Sequence, residues 1–486
     1  MTLVLDNTSA GSLTEELLGT GEHSEVLALR DALVGRARHR RYFPRSLRAT
    51  ASRQRTMAVT VVDQAASSAS NFGVAYLVAH YTGAHALGIF AIVSTTYIIT
   101  QGMLRSLTSD CLLTRHDPGD DVMEVYERSG FLSAIVYAAC ASILMLALAV
   151  VFSGELRLTF AILALAFPLM AAQDYGRYIG ISRYNPAYAV WLDMAWLILF
   201  VVVFEVLRHQ HHVSLPWIWG TYCATGAVVG LYAARTHITL RGAWRQLAFW
   251  FRSERHVGLR FAGQWALGGS WAYIGTYLFV LIFSLAVIGE FKLAQVAFGL
   301  VTVFSQGIVT GMVAMAARYF QVDVRKTLRF IAFGGLLTAG VMLAWTAVIY
   351  FTPVHTLTKA LGPAWPAARR LVPLTGLAFA LNGISAAAVA GLRSLRAASV
   401  NLRLALIMTP VMAVCTLVGG VVWGVQAAIA GVCVGTVIYI VAAWTLLIRV
   451  ANRLKADGAA GAGVPASATD EDEVVEEAAI EAGVTG

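Results

Sequence analysis

Twelve apolar runs, each long enough for the roughly 20 residues that a helix needs to cross a bilayer, dominate the chain between residues 57 and 448. They lie near 57–80, 86–106, 129–153, 157–178, 186–207, 214–234, 262–288, 291–317, 328–352, 370–391, 401–423 and 426–448. Only 13% of the 486 residues are charged and 58% are hydrophobic, whereas a soluble domain carries about 25% charged residues. A soluble protein this apolar could not cover its surface. The predicted fold class is therefore an all-α integral membrane protein with about twelve transmembrane helices and no independent soluble catalytic domain.

The flanking segments are polar. Residues 1–56 form a basic N-terminal arm, with nine arginines and no lysine between Arg30 and Arg55. Residues 451–486 are expected to be an acidic, disordered tail, rich in Gly, Ala, Asp and Glu from 456 onward. No cleavable signal peptide is visible. With the N-terminus placed inside, only Arg157, Arg208, Lys292, Lys359, Arg369 and Arg370 of the 36 basic residues fall outside. That asymmetry predicts an even number of spans and two cytoplasmic termini. Cys111, Cys140, Cys223, Cys415 and Cys433 show no CxxC and no regular spacing, so they predict neither a disulfide framework nor a zinc site.

The chain also looks doubled. Gln64, Gln101-Gly102 and Pro168 reappear as Gln264, Gln306-Gly307 and Pro373, at offsets of 200, 205 and 205 residues. This predicts two six-helix lobes of one orientation, 57–234 and 262–450, with a ligand site between the repeats. The connecting segment 235–261 contains RGAWRQLAFWFRSERHVG, in which Trp244, Leu247, Ala248 and Phe251 share one helix face while Arg241, Arg245, Arg252 and Arg255 flank or oppose it. It reads as an amphipathic helix on the inner leaflet, or as an ordinary connecting helix packed on protein.

No Walker A loop, HExxH, GxSxG or strand-borne GxGxxG is present, so neither an enzyme nor an ATP-driven pump is expected, and no cofactor is implied. His209, His211 and His212 follow a helix end and are expected at the outer surface rather than on a metal. The informative residues are polar groups inside apolar runs, because a central Asp, Lys or Arg costs about 2.5–3.5 kcal/mol on insertion scales. Asp63, Gln64 and Asn71 face broadly one way on the first span. Gln101 and Arg105 are i and i+4 on the second. Gln173, Asp174 and Arg177 share a face of the fourth, before GISRYNP, and Asp193 lies in the fifth. Gln264, Gln306 and Asn382 are the uncharged members in the second half. Two readings stand for each group. Asp174 and Arg177 either pair with each other or serve a ligand, and the amides either bind between helices or line a cavity.

The segment 361–414 (LGPAWPAARRLVPLTGLAFALNGISAAAVAGLRSLRAASVNLRLALIMTPVMAV) and the closing run WGVQAAIAG (423–431) resemble the C-terminal half of Wzx-type polysaccharide flippases. These belong to the multidrug/oligosaccharidyl-lipid/polysaccharide (MOP) exporter superfamily. DQAASSASNFGVAYLVAHYTGAHALGIFAI (63–92) resembles the family's first hairpin, and QDYGRYIGISRYNPAYAVWLD (173–193) its fourth and fifth helices. The resemblance implies two six-helix lobes around a cavity that opens alternately to each side, and a bacterial inner-membrane protein that flips a lipid-linked oligosaccharide or polysaccharide precursor. The implied substrate is an undecaprenyl-diphosphate-linked glycan, with membrane lipids, a polymerase or glycosyltransferases as partners and no nucleic acid. On that reading Arg105 and Arg177 attract the diphosphate, because the planar guanidinium donates two bonds to phosphate. The amides Gln64, Asn71, Gln101, Gln173, Gln264, Gln306 and Asn382 meet sugar hydroxyls, and Asp63, Asp174 and Asp193 are candidates for a coupling cation. The alternatives are a cation-coupled drug exporter of the same superfamily and a non-transporting scaffold for envelope synthesis.

Overall fold

The computed structural model describes residues 69–460, except 114–119, 184, 212, 239–241, 267–270, 300, most of 303–323 and 396. The N-terminal arm, Asp63, Gln64, Gln306 and the tail beyond 460 lie outside the described residues. So do the side chain of Gln264 and those of a few other helical positions. Every regular element among the described residues is helical. In chain order, α1 covers 69–81, followed by α2 (Ala84–Leu107), α3 (Ser109–Leu113), α4 (Asp120–Val151), α5 (Gly154–Ser182), α6 (Pro186–His209) and α7 (Leu215–His237). Then come α8 (Ala243–Gln264), α9 (Trp271–Ile282), α10 (Leu285–Val296), α11 (Val324–Phe351), α12 (Val354–Leu361), α13 (Trp365–Ala368), α14 (Val372–Ser394), α15 (Ala398–Trp423) and α16 (Val425–Ala460).

Among the described residues, eight helical stretches are long and apolar enough to cross a membrane, and each overlaps one of the twelve expected spans. Their outer faces are as apolar as their cores. In α4, Ile143 (67%) and Val151 (78%) are exposed while Phe131, Ala134 and Ala138 are buried. A surface of this kind is stable against hydrocarbon, not water.

The expected span 262–288 is not one helix. The amphipathic helix α8 continues through Gln264, so Gln264 ends that helix instead of opening a span. Helix α9 is described from Trp271, and the helical run is broken at Phe283-Ser284, where Ser284 takes an extended conformation ahead of α10. Hydropathy cannot detect such breaks, because the residues on both sides remain apolar. At the other end, α16 runs on to Ala460, into the segment expected to be disordered. Arg453, Lys455, Ala456, Ala459 and Ala460 are good helix formers and carry the helix past its apolar part.

The chain divides into two compact units. Among described residues, the first comprises Tyr97–His212 and Pro216–Trp265, and the second Asn71–Thr96 and the chain from Ala266 onward. The expected lobes were continuous in sequence, whereas α1 and the first half of α2 group with the second unit. In the first unit α4 pairs with α5, and α5 with α6. Its core gathers Tyr126, Phe131, Tyr175, Ile179, Phe249 and Trp250. In the second, α11 packs on α14 and α15 on α16, around Ile331, Ala387, Leu392, Leu404 and Leu447.

Small residues set the closest approaches. Gly289 of α10 lies against the start of α2, where a methyl would collide with the Ala84 carbonyl. Gly289→Val is therefore expected to cost about 1–3 kcal/mol, as overpacked cores do, seen as a lower thermal midpoint in detergent. Gly340 of α11 has open space around its missing Cβ. Gly340→Ala should hold or raise the midpoint, since alanine is favoured over glycine in helices by up to about 1 kcal/mol.

Candidate functional site: a buried arginine–aspartate network

Three helices of the first unit bring six polar side chains together. Helical spacing places Gln101 and Arg105 on one face of α2, and Gln173, Asp174 and Arg177 on one face of α5. The Asp174 carboxylate is the hub. Arg105 donates to it twice, Nε to Oδ2 at 2.8 Å and Nη2 to Oδ1 at 2.6 Å. Gln101 Nε2 donates to Oδ2 at 2.7 Å, and Arg177 Nη1 to Oδ1 at 3.3 Å. Arg177 also reaches α6, with Nε 3.1 Å from Asp193 Oδ1, an oxygen that accepts from Gln173 Nε2 at 2.8 Å. The network thus links α2, α5 and α6 in the order Arg105–Asp174–Arg177–Asp193, two positive and two negative groups.

Burial is graded along that order. The side chains of Asp174 and Arg177 are 6% exposed and that of Asp193 2%, but that of Arg105 is 35% exposed. The Arg105 guanidinium also lies 5.9 Å from the centre of the Tyr178 ring, within cation–π range. Asp174 engages Nε and Nη2 of Arg105, and among the described residues Nη1 makes no hydrogen bond. Gln101 Oε1 is likewise without a partner among the described residues, because its amide nitrogen is turned to Asp174. The accessible end of the network therefore presents a cationic donor, with the buried Gln101 amide oxygen one turn away on α2.

Trp265, just past the end of α8, fixes that part of α2. Its indole lies over Gly102, where any side chain would collide with the ring, and its Nε1 donates to the Ile99 carbonyl at 3.1 Å. A second buried pair has Arg183, at the end of α5, holding Glu127 of α4 through Nε–Oε1 at 2.7 Å and Nε–Oε2 at 2.9 Å. Neither the pair nor the indole seat follows from sequence periodicity. Glu127 lies near the expected start of a span and Arg183 in a turn, where charges are ordinary.

The remaining sequence-derived residues lie elsewhere. Asn71 and Asn382 belong to the second unit and are exposed. Asn382 accepts from Ser385 through its main-chain oxygen at 2.9 Å and through Oδ1 at 3.5 Å. His209 is exposed and lies 3.4 Å from Glu205. Among the described residues no cluster of three or more His, Cys, Asp or Glu side chains could hold a metal ion.

The geometry changes what a charge-neutral substitution should do. Removing one partner from a buried ion pair costs about 3–5 kcal/mol, so Arg177→Ala should sharply reduce the folded, monodisperse fraction in detergent. Arg105→Ala should reduce it less, because Arg105 is the least buried member. Asp174→Asn with Arg105→Gln leaves Arg177 and Asp193 paired and should recover the fold. Asp174→Asn with Arg177→Gln separates Arg105 from Asp193 and should not. Size-exclusion profiles of the four variants check this order, which independent contributions would not produce.

The sequence matches no protein-family model and no curated protein sequence. Solved structures do resemble the fold. A multidrug resistance MATE family transporter of the MOP superfamily in an inward-facing conformation superposes with a TM-score of 0.66 at 13% identity, over 80% of this chain and 95% of that one. An outward-facing conformation of a multidrug resistance MATE family transporter gives 0.56 at 13% identity, over 83% and 96%. A MATE protein in complex with MaD3S gives 0.59 at 13% identity, over 83% and 96%. The chain thus has the all-helical, multi-pass membrane fold of MATE transporters of the MOP superfamily.

Proposed function

We propose that this protein moves an anionic amphiphile across a bilayer by alternating access, and that the solute is a lipid-linked oligosaccharide or polysaccharide precursor of the bacterial inner membrane. No covalent change is needed. The observation that carries the reading is the state of the buried charges. Asp174 and Asp193 already face guanidinium groups, so a cationic solute would have to displace arginine from them. An anion has the easier exchange. It meets the part-exposed Arg105 first, can take the Nη1 donor, and can compete with Asp174 for the rest of the fork. Asp174 would then keep Arg177 and Gln101, so no buried charge is left bare while the anion is held. A diphosphate suits this geometry because guanidinium binds phosphate oxygens through paired bonds. The buried Gln101 Oε1, without a partner among the described residues, would accept from a sugar hydroxyl once the site opens to it. A head group carried in this way is shielded from hydrocarbon about 30 Å thick, while its lipid tail stays in the bilayer.

A second reading, export of small cationic drugs, draws on the solved structures of the same fold, which are described as multidrug resistance transporters. A coupling cation on Asp174 or Asp193 would face the same competition from arginine.

Depletion of the protein should leave lipid-linked glycan on the cytoplasmic leaflet, read with a membrane-impermeant reagent that labels sugars on one side. Arg105→Lys keeps a charge but loses the fork. It should slow translocation roughly 10- to 100-fold, the equivalent of about 1.5–3 kcal/mol for a hydrogen bond to a charged group, at unchanged protein abundance. Unchanged glycan sidedness together with new sensitivity to cationic drugs would replace the first reading with the second.

A further inference from the structure

We infer that α8 is a docking surface for the anionic head groups of the bilayer, a lipid site distinct from the solute site and independent of what the protein carries. The helix has two unlike sides. One is fixed to the first unit. Phe249 and Trp250 are fully buried against Tyr126 of α4, and the Trp250 indole donates to the Leu107 carbonyl at 3.4 Å. Glu254, the single acidic residue between 243 and 264, is on this side and 4% exposed.

The other side is exposed and carries two parallel rows. Trp244 (82% exposed), Phe251 and Leu259 recur at seven and eight residues and form an apolar row. Arg245, Arg252, His256 and Arg260, all exposed, run beside it. No acidic side chain of α8 itself interrupts either row. An apolar row of this kind inserts at the depth of the glycerol backbone, where the amphipathic indole is most stable. The adjacent guanidinium row then meets phosphate oxygens at the head-group level, and each basic residue near an anionic surface adds to the attraction. A helix that only connected two bundles would not need three large apolar side chains exposed beside four basic ones.

The complementarity selects negatively charged lipids, and full-length protein in vesicles tests it. Trp244 can be isolated from the other indoles as the part of the tryptophan emission lost in Trp244→Phe. In phosphatidylcholine vesicles doped with brominated phosphatidylglycerol, that part should be quenched at least about twofold more than with the same amount of brominated phosphatidylcholine. The variant R245Q/R252Q/R260Q should quench equally with both lipids. If it does not elute as native protein, R245Q alone should narrow the difference. Equal quenching in the unmodified protein would overturn the charge selection. Absence of quenching by either lipid would show that the face is covered by polypeptide and would overturn the proposal altogether.

Discussion

Asp174 receives four donors from three side chains, and the first unit's polar interior is arranged around it. In water a carboxylate needs no such company. Inside a bundle surrounded by hydrocarbon it must be neutralised and hydrogen-bonded by the protein itself, or protonated. The same solvent dictates the rest of the architecture. Backbone groups are satisfied within helices, threonine hydroxyls return to carbonyls of the preceding turn, and large apolar residues cover the outside. The network is the exception that this solvent tolerates only when its charges close on themselves, and here they do so across three helices.

A closed network with one accessible end behaves differently from an isolated pair. Asp174, Arg177 and Asp193 each have more than one partner, so a single contact can open without stranding an ion in the interior. That redundancy permits Arg105 to exchange acceptors while Asp174 stays compensated. It also places the cost of rearrangement at the exposed end, where water can share it, and keeps Arg177 and Asp193 as a fixed base.

Much of this was legible in the amino-acid sequence, and the limits have physical causes. The helical period alone put Gln101 with Arg105 and Gln173 with Asp174 and Arg177. It could not tell which helices would meet, because rotation about the helix axis is set by packing. The period alone therefore leaves Asp193 a separate candidate, although its carboxylate lies beside Arg177. Apolar length located eight spans, with ends up to about seven residues from the observed helix bounds. It failed where breaks occur without a change in polarity, as at Ser284, and where a polar helix continues through a boundary, as α8 does. Glu127–Arg183 leaves no signal in the sequence, because a charge at a helix end is ordinary. The wider likeness to MOP proteins was carried by diffuse pattern across most of the chain, which transmits fold far better than it transmits substrate.

The indole of Trp265 gives the seam between α8 and α2 a mechanical meaning. With no side chain at Gly102, ring and backbone are in direct contact, and the bond to the Ile99 carbonyl pins the ring along the same turn. The end of the surface helix and the turn that carries Gln101 are therefore a single strut. Whatever tilts one must drag or shear the other, so a load applied along α8 arrives, through a rigid ring and not a flexible side chain, beside the innermost charges of the bundle.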